Sequence, residues 1–528
     1  MAVFDTVLHQ SLVGILGQAH VITNADECAY FSQDVFRESD HTSAAVIQPE
    51  NTQQLAQAVK AATSADYALF PRGGGMSYTS GYLPTETRSI SVDTSRMNRV
   101  LEVNTTDMYV TVECGCTWAD LQGALKGTSL RPPFWGTLSG YVATVGGGIS
   151  QNSIFFGSGL HGTAANSVIG MEIVCADGSV LSTGSAGTKN GSPHMRHYGP
   201  DLTGLFTADA GALGIKATIT LQLIIEPAEK GFSSFNFTTH EAMFEAAAEI
   251  SRRGLASEAF GFDPYLQSLR MKRESLLKDV QILSGVMKSS GSVLSAIKEG
   301  GKMALAGRRY MDDARYSYHF ITEQNSKAAV KAALKAIEAI AVEYGGEVLE
   351  NSIPKIISGN PFMPISNMVG PDGERWLPVH GLIPHSKATA MKDAIEAYFE
   401  ENRAILDRYG IETGYLFATV GASTSMLEPL FYWPDAITEI HKRNLDPAAL
   451  KRIKGFGEDI DARAAVTKLR KGLAEVFLNE GAVHLQIGKT YLYSEGIGAG
   501  NLALVKALKQ HLDPNNRINP GALGLANE

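Results

Sequence analysis

The chain has 528 residues, more than a single hydrophobic core usually supports, so two closely packed domains are expected. Hydrophobic residues at 44% and charged residues at 19% fit a globular enzyme, and a net charge of -9 argues against a nucleic-acid surface. No apolar run reaches the ~18 to 20 residues of a membrane span, and Met1 to Asp5 shows no basic-then-apolar leader, so a cytoplasmic protein is expected. Cys28, Cys114, Cys116 and Cys175 are too scattered for a disulfide framework or a metal site.

From Ala44 to Glu226 short β-branched runs alternate with turns and a few helices. Strands are predicted at Val46 to Gln48, Tyr67 to Phe70, Ser89 to Val92, Val100 to Val103, Tyr109 to Glu113, Met171 to Val174 and Ala217 to Ile225. Helices are predicted at Glu50 to Ala62 and Thr117 to Leu125. After Pro227 the plan changes to strands followed by long amphipathic helices. Phe232 to Phe237 leads to Glu241 to Arg253, Tyr316 to Thr322 to Lys327 to Tyr344, and Trp376 to Leu382 to Lys387 to Tyr409. Such β-α repetition predicts a second sheet with helices on one side. Ser284 to Arg309, rich in Ser, Gly and Lys, reads as a solvated excursion or a lid. Helices are predicted at Ile460 to Asn479 and Asn501 to Leu512.

Two glycine clusters carry chemistry. Pro71-Arg72-Gly73-Gly74-Gly75-Met76-Ser77 follows a strand, and glycines there let backbone N–H groups converge on an anion with no Cβ in the way. The spacing is not the G-x-G-x-x-G of a nicotinamide-binding turn, and Gly81 to Pro84 cannot open the required helix, so a different diphosphate cofactor is the first suspect. Thr144, Gly146, Gly147, Ser150 and Asn152 belong to the second cluster, and Gly211, Gly214 and Ile215 to a third turn before a strand. Together they suggest an elongated ligand.

The ordered segments P-R-G-G-G-M-S-Y-T-S-G, S-V-D-T-S-R-M-N-R-V-L-E-V, A-T-V-G-G-G-I-S-Q-N, G-M-E-I-V-C-A-D-G-S-V and G-P-D-L-T-G-L-F-T-A-D-A-G-A-L-G-I resemble the FAD-binding domain of the vanillyl-alcohol oxidase / p-cresol methylhydroxylase superfamily. The resemblance covers about residues 40 to 228, and L-E-P-L-F-Y-W-P-D with D-P-N-N-R-I-N-P-G extends it further. It implies an α+β protein: a PCMH-type FAD-binding domain of two α/β subdomains over 1–228, a cap or substrate domain with an antiparallel sheet flanked by helices over 229–447, and a C-terminal helical segment, 448–528, completing the active site.

On that resemblance, Pro71 to Ser77 hold the diphosphate, Thr144 to Ser150 and Gly211 to Ile215 line the ribityl chain and flavin ring, and Ile173 to Gly178 lies near the adenine. Met76 stands where one branch places a flavin-linking histidine, and Arg375 aligns loosely with the cap histidine of another, so dissociable FAD is expected. His161, His380 and His385 are the histidines that leave a covalent link open. Tyr78 matches a phenolate-binding tyrosine, and His161, beside Thr163 where the branch has an aspartate, is a candidate base as well as a flavin neighbour. His484, Gln486, Lys489 and Tyr491 fall where the family supplies catalytic groups; alternation would put His484, Gln486 and Gly488 on one face of a strand.

The implied function is transfer of hydride from a CH–OH or benzylic carbon of an aryl-bearing alcohol to FAD, with oxygen, a quinone or a cytochrome as electron acceptor, in a homodimer. The alternative is a D-2-hydroxy-acid dehydrogenase, whose H-G-D-G-N-L-H metal segment is absent here and whose S-G-E-H-G-I-G motif survives only as Ser494-Glu495-Gly496-Ile497-Gly498. A catalytically silent flavin-binding subunit is the third reading.

Overall fold

The computed structural model describes residues 4–269, 316–363 and 365–525; the segment 284–309 lies outside them. Among the described residues three larger sheets, with a two-stranded ribbon of Leu130–Arg131 and Ile224–Ile225, organise the fold. The first runs in the order Val21–Ile22, Ala45–Ile47, Ser89–Asp93, Ala68–Arg72, with its last three strands parallel. Parallel pairing needs a covered crossover, and helix Thr52–Ser64, capped by the Asn51 side chain on Gln54 N–H, supplies it by burying Leu55, Ala58, Val59 and Ala62.

Ala68–Arg72 is an edge strand, and an open edge invites unwanted pairing. The C-terminal tail closes it: Leu69 N–H donates to Arg517 O at 2.7 Å, and Asn519 N–H donates to Leu69 O at 2.8 Å. Residues 517–519 thus complete the strand that leads into the first glycine loop.

The second sheet is antiparallel, ordered Val100–Asn104, Tyr109–Glu113, Ile215–Gln222, Val168–Val174, Val180–Ser182. The third is an eight-stranded antiparallel sheet, in which Glu347–Val348, Glu229–Phe237, Tyr316–Gln324, Glu258–Phe262, Glu412–Val420, Thr424–Trp433 and Arg375–Pro378 follow one another and Gly381–Pro384 also pairs with Thr424–Trp433. Helices His240–Arg252, Lys327–Glu343, Ala388–Glu401 and Ile460–Asn479 bury Phe244, Ile337, Ile395, Leu473 and Phe477 in one core with Phe320, Phe417 and Phe431. This is the α+β architecture expected, with a helix-flanked antiparallel sheet beside the glycine-loop domain.

Three local expectations fail for physical reasons. The predicted strand Trp376 to Leu382 is split into Arg375–Pro378 and Gly381–Pro384. Pro429, opposite the break, has no N–H to give, and only its carbonyl is used, accepting from Val379 N–H at 2.9 Å. The helix predicted over Lys387 to Tyr409 is interrupted at Asn402, which closes Ala388–Glu401 before Arg403–Tyr409 begins. The alternating run at Val483 to Tyr493 forms no strand beyond a single bridge from Val483 to Leu382; positive φ at Gln486 (48°) and Gly488 (56°) turns it into a coil.

Candidate active site

One cavity of about 330 Å³ runs between the glycine loops and the large sheet. Its glycine end is lined by Pro71 to Ser77, Thr144, Gly146 to Gly148, Ser150, Gly211, Gly214 and Ile215. Close backbone approach makes glycine necessary here. A Cβ on Gly74 would lie 1.9 Å from Val142 O, and one on Gly146 would lie 2.6 Å from Cys114 O. The second cluster forms a short helix, Val145–Gln151, whose first turn is capped by Thr144 Oγ1 on Gly147 N–H at 3.1 Å. Beneath the first loop, the buried Arg72 guanidinium lies over the rings of Tyr30 and Phe31, 4.6 and 4.5 Å from their centroids, and its Nε and Nη1 have no hydrogen-bond partner in the structure. A side-chain-free cradle with a buried cation below it fits a flat, diphosphate-bearing cofactor.

Asn152 and His161 do not line this cavity. Asn152 closes the short helix in the left-handed region (φ 53°) and accepts from Ala165 N–H through Oδ1, which turns its side chain to the helix flank. His161 ends the following helical turn, where burial and the neighbouring Arg131 lower its pKa. Ile173 to Gly178 also stays outside the lining.

At the other end, the large sheet and the C-terminal segment contribute Leu266, Leu269, Met363, Ile365, Met368, Trp376, His380, Leu416, Met426, Glu428, Leu430, Tyr432, Leu485 and Gln486. Alternation along Thr424–Trp433 points Tyr432 here and leaves Phe431 and Trp433 fully buried in the sheet's helix-side core. Tyr78 reaches in from the glycine loop, its ring edge-on to Trp376 at 5.4 Å and to His380 at 6.4 Å. Gln486 Nε2 donates to Tyr78 Oη at 3.1 Å, leaving the phenol hydrogen for a ligand. Burial, then the Glu428 charge, raises the Tyr78 pKa well above the usual phenol value, so it stays protonated.

Of His380 and His385, both plausible cleft residues from sequence, His380 lines the cavity and His385 does not. The strand break at Pro429 frees the His380 backbone N–H, which donates to Tyr491 Oη at 2.8 Å; Tyr491 Oη also lies 3.4 Å from His380 Nδ1. With its oxygen already accepting, Tyr491 directs its hydrogen to Nδ1, an assignment from the hydrogen-bond pattern that puts the His380 proton on Nε2. Nε2 is buried without a partner in the structure.

Three predicted catalytic residues stand behind this front. Tyr491 stacks on His380 at 5.3 Å and on His484 at 4.0 Å, and His484 Nδ1 donates to His380 O at 2.8 Å, so both position His380 rather than face the cavity. Lys489 is a tether: its Nζ donates to Gly81 O at 3.0 Å and to Asn519 Oδ1 at 2.6 Å, joining loop and tail. Arg375, fully buried, donates to Ala436 O and Val35 O in the sheet's core and does not reach the cavity. His385 is held by Ser425 Oγ, also outside the lining. Arg470, not singled out from sequence, is a buried cation interacting electrostatically with Tyr78 and Tyr491, with Nε and Nη2 unpartnered in the structure. The described residues also bring His240, Glu241 and Asp393 together as an ion-paired surface group, none of which lines the cavity.

Burial, then the His484 charge, pushes His380 down to about 3, and burial, then Arg375, pushes His441 down to about 3. Both folded values lie below the unfolded ~6.5, so between those limits the unfolded chain binds more protons and stability falls as pH falls. Urea melts at pH 7 and pH 5 are expected to show a loss approaching ~1.4 kcal/mol per pH unit for each histidine below 6.5, reduced in His441→Gln.

Comparisons with known proteins agree with this geometry. A family described as FAD binding domain matches residues 43–184, and one described as FAD linked oxidases, C-terminal domain, matches 487–523. The glycolate oxidase subunit GlcD of Bacillus subtilis is 29% identical over 209 residues, 39% of this chain and 42% of that protein. The mitochondrial D-lactate dehydrogenase [cytochrome] 1 of Saccharomyces cerevisiae is 26% identical over 235 residues, 44% of this chain and 37% of that protein. These matches thus span less than half of either relative. Among solved structures, p-cresol methylhydroxylase with substrate bound superposes with a TM-score of 0.74 at 16% identity, covering 100% of this chain and 99% of that one. The 4-ethylphenol oxidase of Gulosibacter chungangensis gives 0.70 at 18%, covering 99% and 97%. The FAD-binding segment forms the glycine cradle and the C-terminal segment matched to FAD linked oxidases carries Ile487 to Leu523 back onto it, so the chain combines these two domains on a fold like that of p-cresol methylhydroxylase, and FAD is the cofactor.

Proposed function

We propose that this protein is an FAD-dependent oxidoreductase that takes a hydride from a CH–OH or benzylic carbon of an uncharged, aryl-bearing alcohol. The observation carrying this reading is the character of the cavity away from the glycine loops. Its walls are largely apolar and aromatic, and its hydrogen-bonding groups include the uncharged Tyr78, His380, Gln486 and Tyr432 beside the acid Glu428. Among the described residues the cationic lining is Arg72 and Lys216; Arg72 sits beneath Gly75, and Lys216 is ion-paired with Asp209 at 2.6 Å. A 2-hydroxy acid needs a cation for its carboxylate, and the remaining charged lining residue, Glu428, is an acid.

FAD, held by the loops at 71–77, 144–150 and 211–215, supplies the hydride acceptor. Tyr78 O–H and His380 Nε2–H are two neutral donors suited to an oxygen that gains negative charge as hydride leaves. Gln486 orients the first, and Tyr491 fixes the tautomer of the second. Leu416, Met426, Leu430 and Trp376 exclude water from that oxygen, which strengthens both hydrogen bonds.

The curated relatives keep D-2-hydroxy-acid oxidation as the alternative. Anaerobic mixing of the holoprotein with benzylic alcohols and 4-alkylphenols is expected to bleach the oxidised flavin band, while D-lactate and glycolate leave it unchanged. Bleaching by the acids alone overturns the proposal. With Met76 at the loop and Arg375 remote from the cavity, FAD is proposed to be dissociable. Acid precipitation should release yellow flavin to the supernatant; a yellow pellet with flavin attached to His380 would refute this. We also propose a homodimer and a cytoplasmic location; among the described residues no helix is long and apolar enough to cross a membrane. Light scattering checks the first and fractionation of the producing cells the second.

A further inference from the structure

Phe362 occupies a place that the proposed chemistry does not use. It belongs to the stretch between helix Ser352–Gly359 and the 3-10 turn Ile365–Met368, and only 4% of its surface is exposed. Its ring fills a socket on the opposite wall, within 6.2 Å of Trp135, 6.0 Å of Tyr141 and 6.3 Å of Phe156 between ring centroids. Two glycines form the remainder of the socket. A Cβ on Gly140 would lie 2.3 Å from the Phe362 ring, and one on Gly136 would lie 2.6 Å from it.

The socket lies on a seam. Thr137, Leu138 and Ser139 line the cavity from one side, while Met363, Ile365 and Met368 line it from the other. The two sides are joined by the Phe362 ring and by Met363 N–H donating to Leu138 O at 2.9 Å. Tyr141, at the outer rim of the socket, is 59% exposed, so the ring stands between solvent and the cavity-lining Leu138 and Met363. Phe362 itself does not line the cavity. The socket side is fixed, because Ala119 N–H holds Gly140 O at 3.0 Å and Trp118 N–H holds Ala143 O at 3.2 Å. Gly136 and Gly140 add no side chains to interlock with the ring, so on those two sides it can withdraw past bare backbone.

We propose that Phe362 is the door through which aromatic ligands reach the cavity, and that its fit between Gly136 and Gly140 sets the rate and the size of what enters. A door outside the lining changes passage in both directions equally and leaves affinity alone. That signature separates it from a packing residue or a ligand-binding residue.

The test follows exchange of 4-nitrophenol with the oxidised holoprotein by stopped-flow, reading the perturbed absorption of the bound flavin. Because exchange is measured in place of turnover, the result is independent of which substrate is oxidised. Phe362→Ala is expected to raise the association and dissociation rate constants together by about 10-fold or more, with Kd within about 2-fold of the parent. Gly140→Ala, which displaces the ring from the other side of the seam, is expected to do the same. Phe362→Leu, which keeps a plug, should stay within about 3-fold of the parent and serves as the variant least disturbing to folding. Unchanged rates in Phe362→Ala and Gly140→Ala, or a changed Kd at a fixed association rate, would overturn the proposal.

Discussion

Gly74→Ala is expected to give a folded protein that no longer retains FAD, with affinity reduced by at least ~100-fold, or ~3 kcal/mol. The cause is steric and involves backbone on both sides. The new methyl would lie 1.9 Å from Val142 O and 2.6 Å from Val142 C, and neither atom can rotate away as a side-chain tip would. Relief requires the 71–77 loop to lift or the segment ahead of Thr144 to retreat. Both line the cavity, and the second carries the cap of the Val145–Gln151 helix. The flavin-to-protein absorbance ratio after gel filtration reads the loss directly. Gly123→Ala is the matched control, since Gly123 lies within helix Trp118–Leu125 with nothing within 4 Å of an added Cβ. It should retain FAD and gain roughly 0.5 to 1 kcal/mol in stability. Parent-level FAD in Gly74→Ala would remove the loop from the cofactor site.

The second large effect is expected at the donor pair. Tyr78→Phe and His380→Leu should each lower kcat/KM by roughly 10² to 10³, the usual cost of removing one donor from a developing oxyanion, with FAD content unchanged. His380→Gln should recover part of the loss, because the glutamine amide offers an N–H near the position of Nε2. His380→Asn, whose shorter amide mimics Nδ1, should not. The double variant should lose less than the product of the single losses, since both donors act on one oxygen. Full activity in Tyr78→Phe would exclude its hydroxyl from the chemistry.

How much of this was legible in sequence depended on whether the signal was local. The glycine loops were, because no other residue tolerates the approach of Gly74 to Val142 or Gly146 to Cys114. Helix Ile460–Asn479 was equally plain, with Asp459 as its cap and a periodic apolar face. The run from His484 to Tyr491 alternates like a strand, yet the left-handed backbone at Gln486 and Gly488 sends Gln486 to the cavity, Lys489 to Asn519 and Tyr491 behind His380. Gly488 was the available clue, since a glycine within a strand-like run signals a turn or bulge. Nothing local set His380 apart from His385. The placement of His380 depends on Pro429, a residue 49 positions later that is joined to it only through sheet pairing. His161 shows the converse: close in sequence to the glycine cluster, it is carried by one helical turn to the Arg131 side.

The tail strand at residues 517–519 has a consequence for biosynthesis. The glycine cradle emerges from the ribosome early, but the strand that delivers it keeps an open edge until Arg517 and Asn519 have been made and have docked on Leu69. Lys489 adds the same delay, because it ties Gly81 to Asn519. A chain stopped before residue 517 would carry all three glycine loops, yet the strand leading into the first would keep its edge unpaired and Gly81 would lack its tether through Lys489 to Asn519.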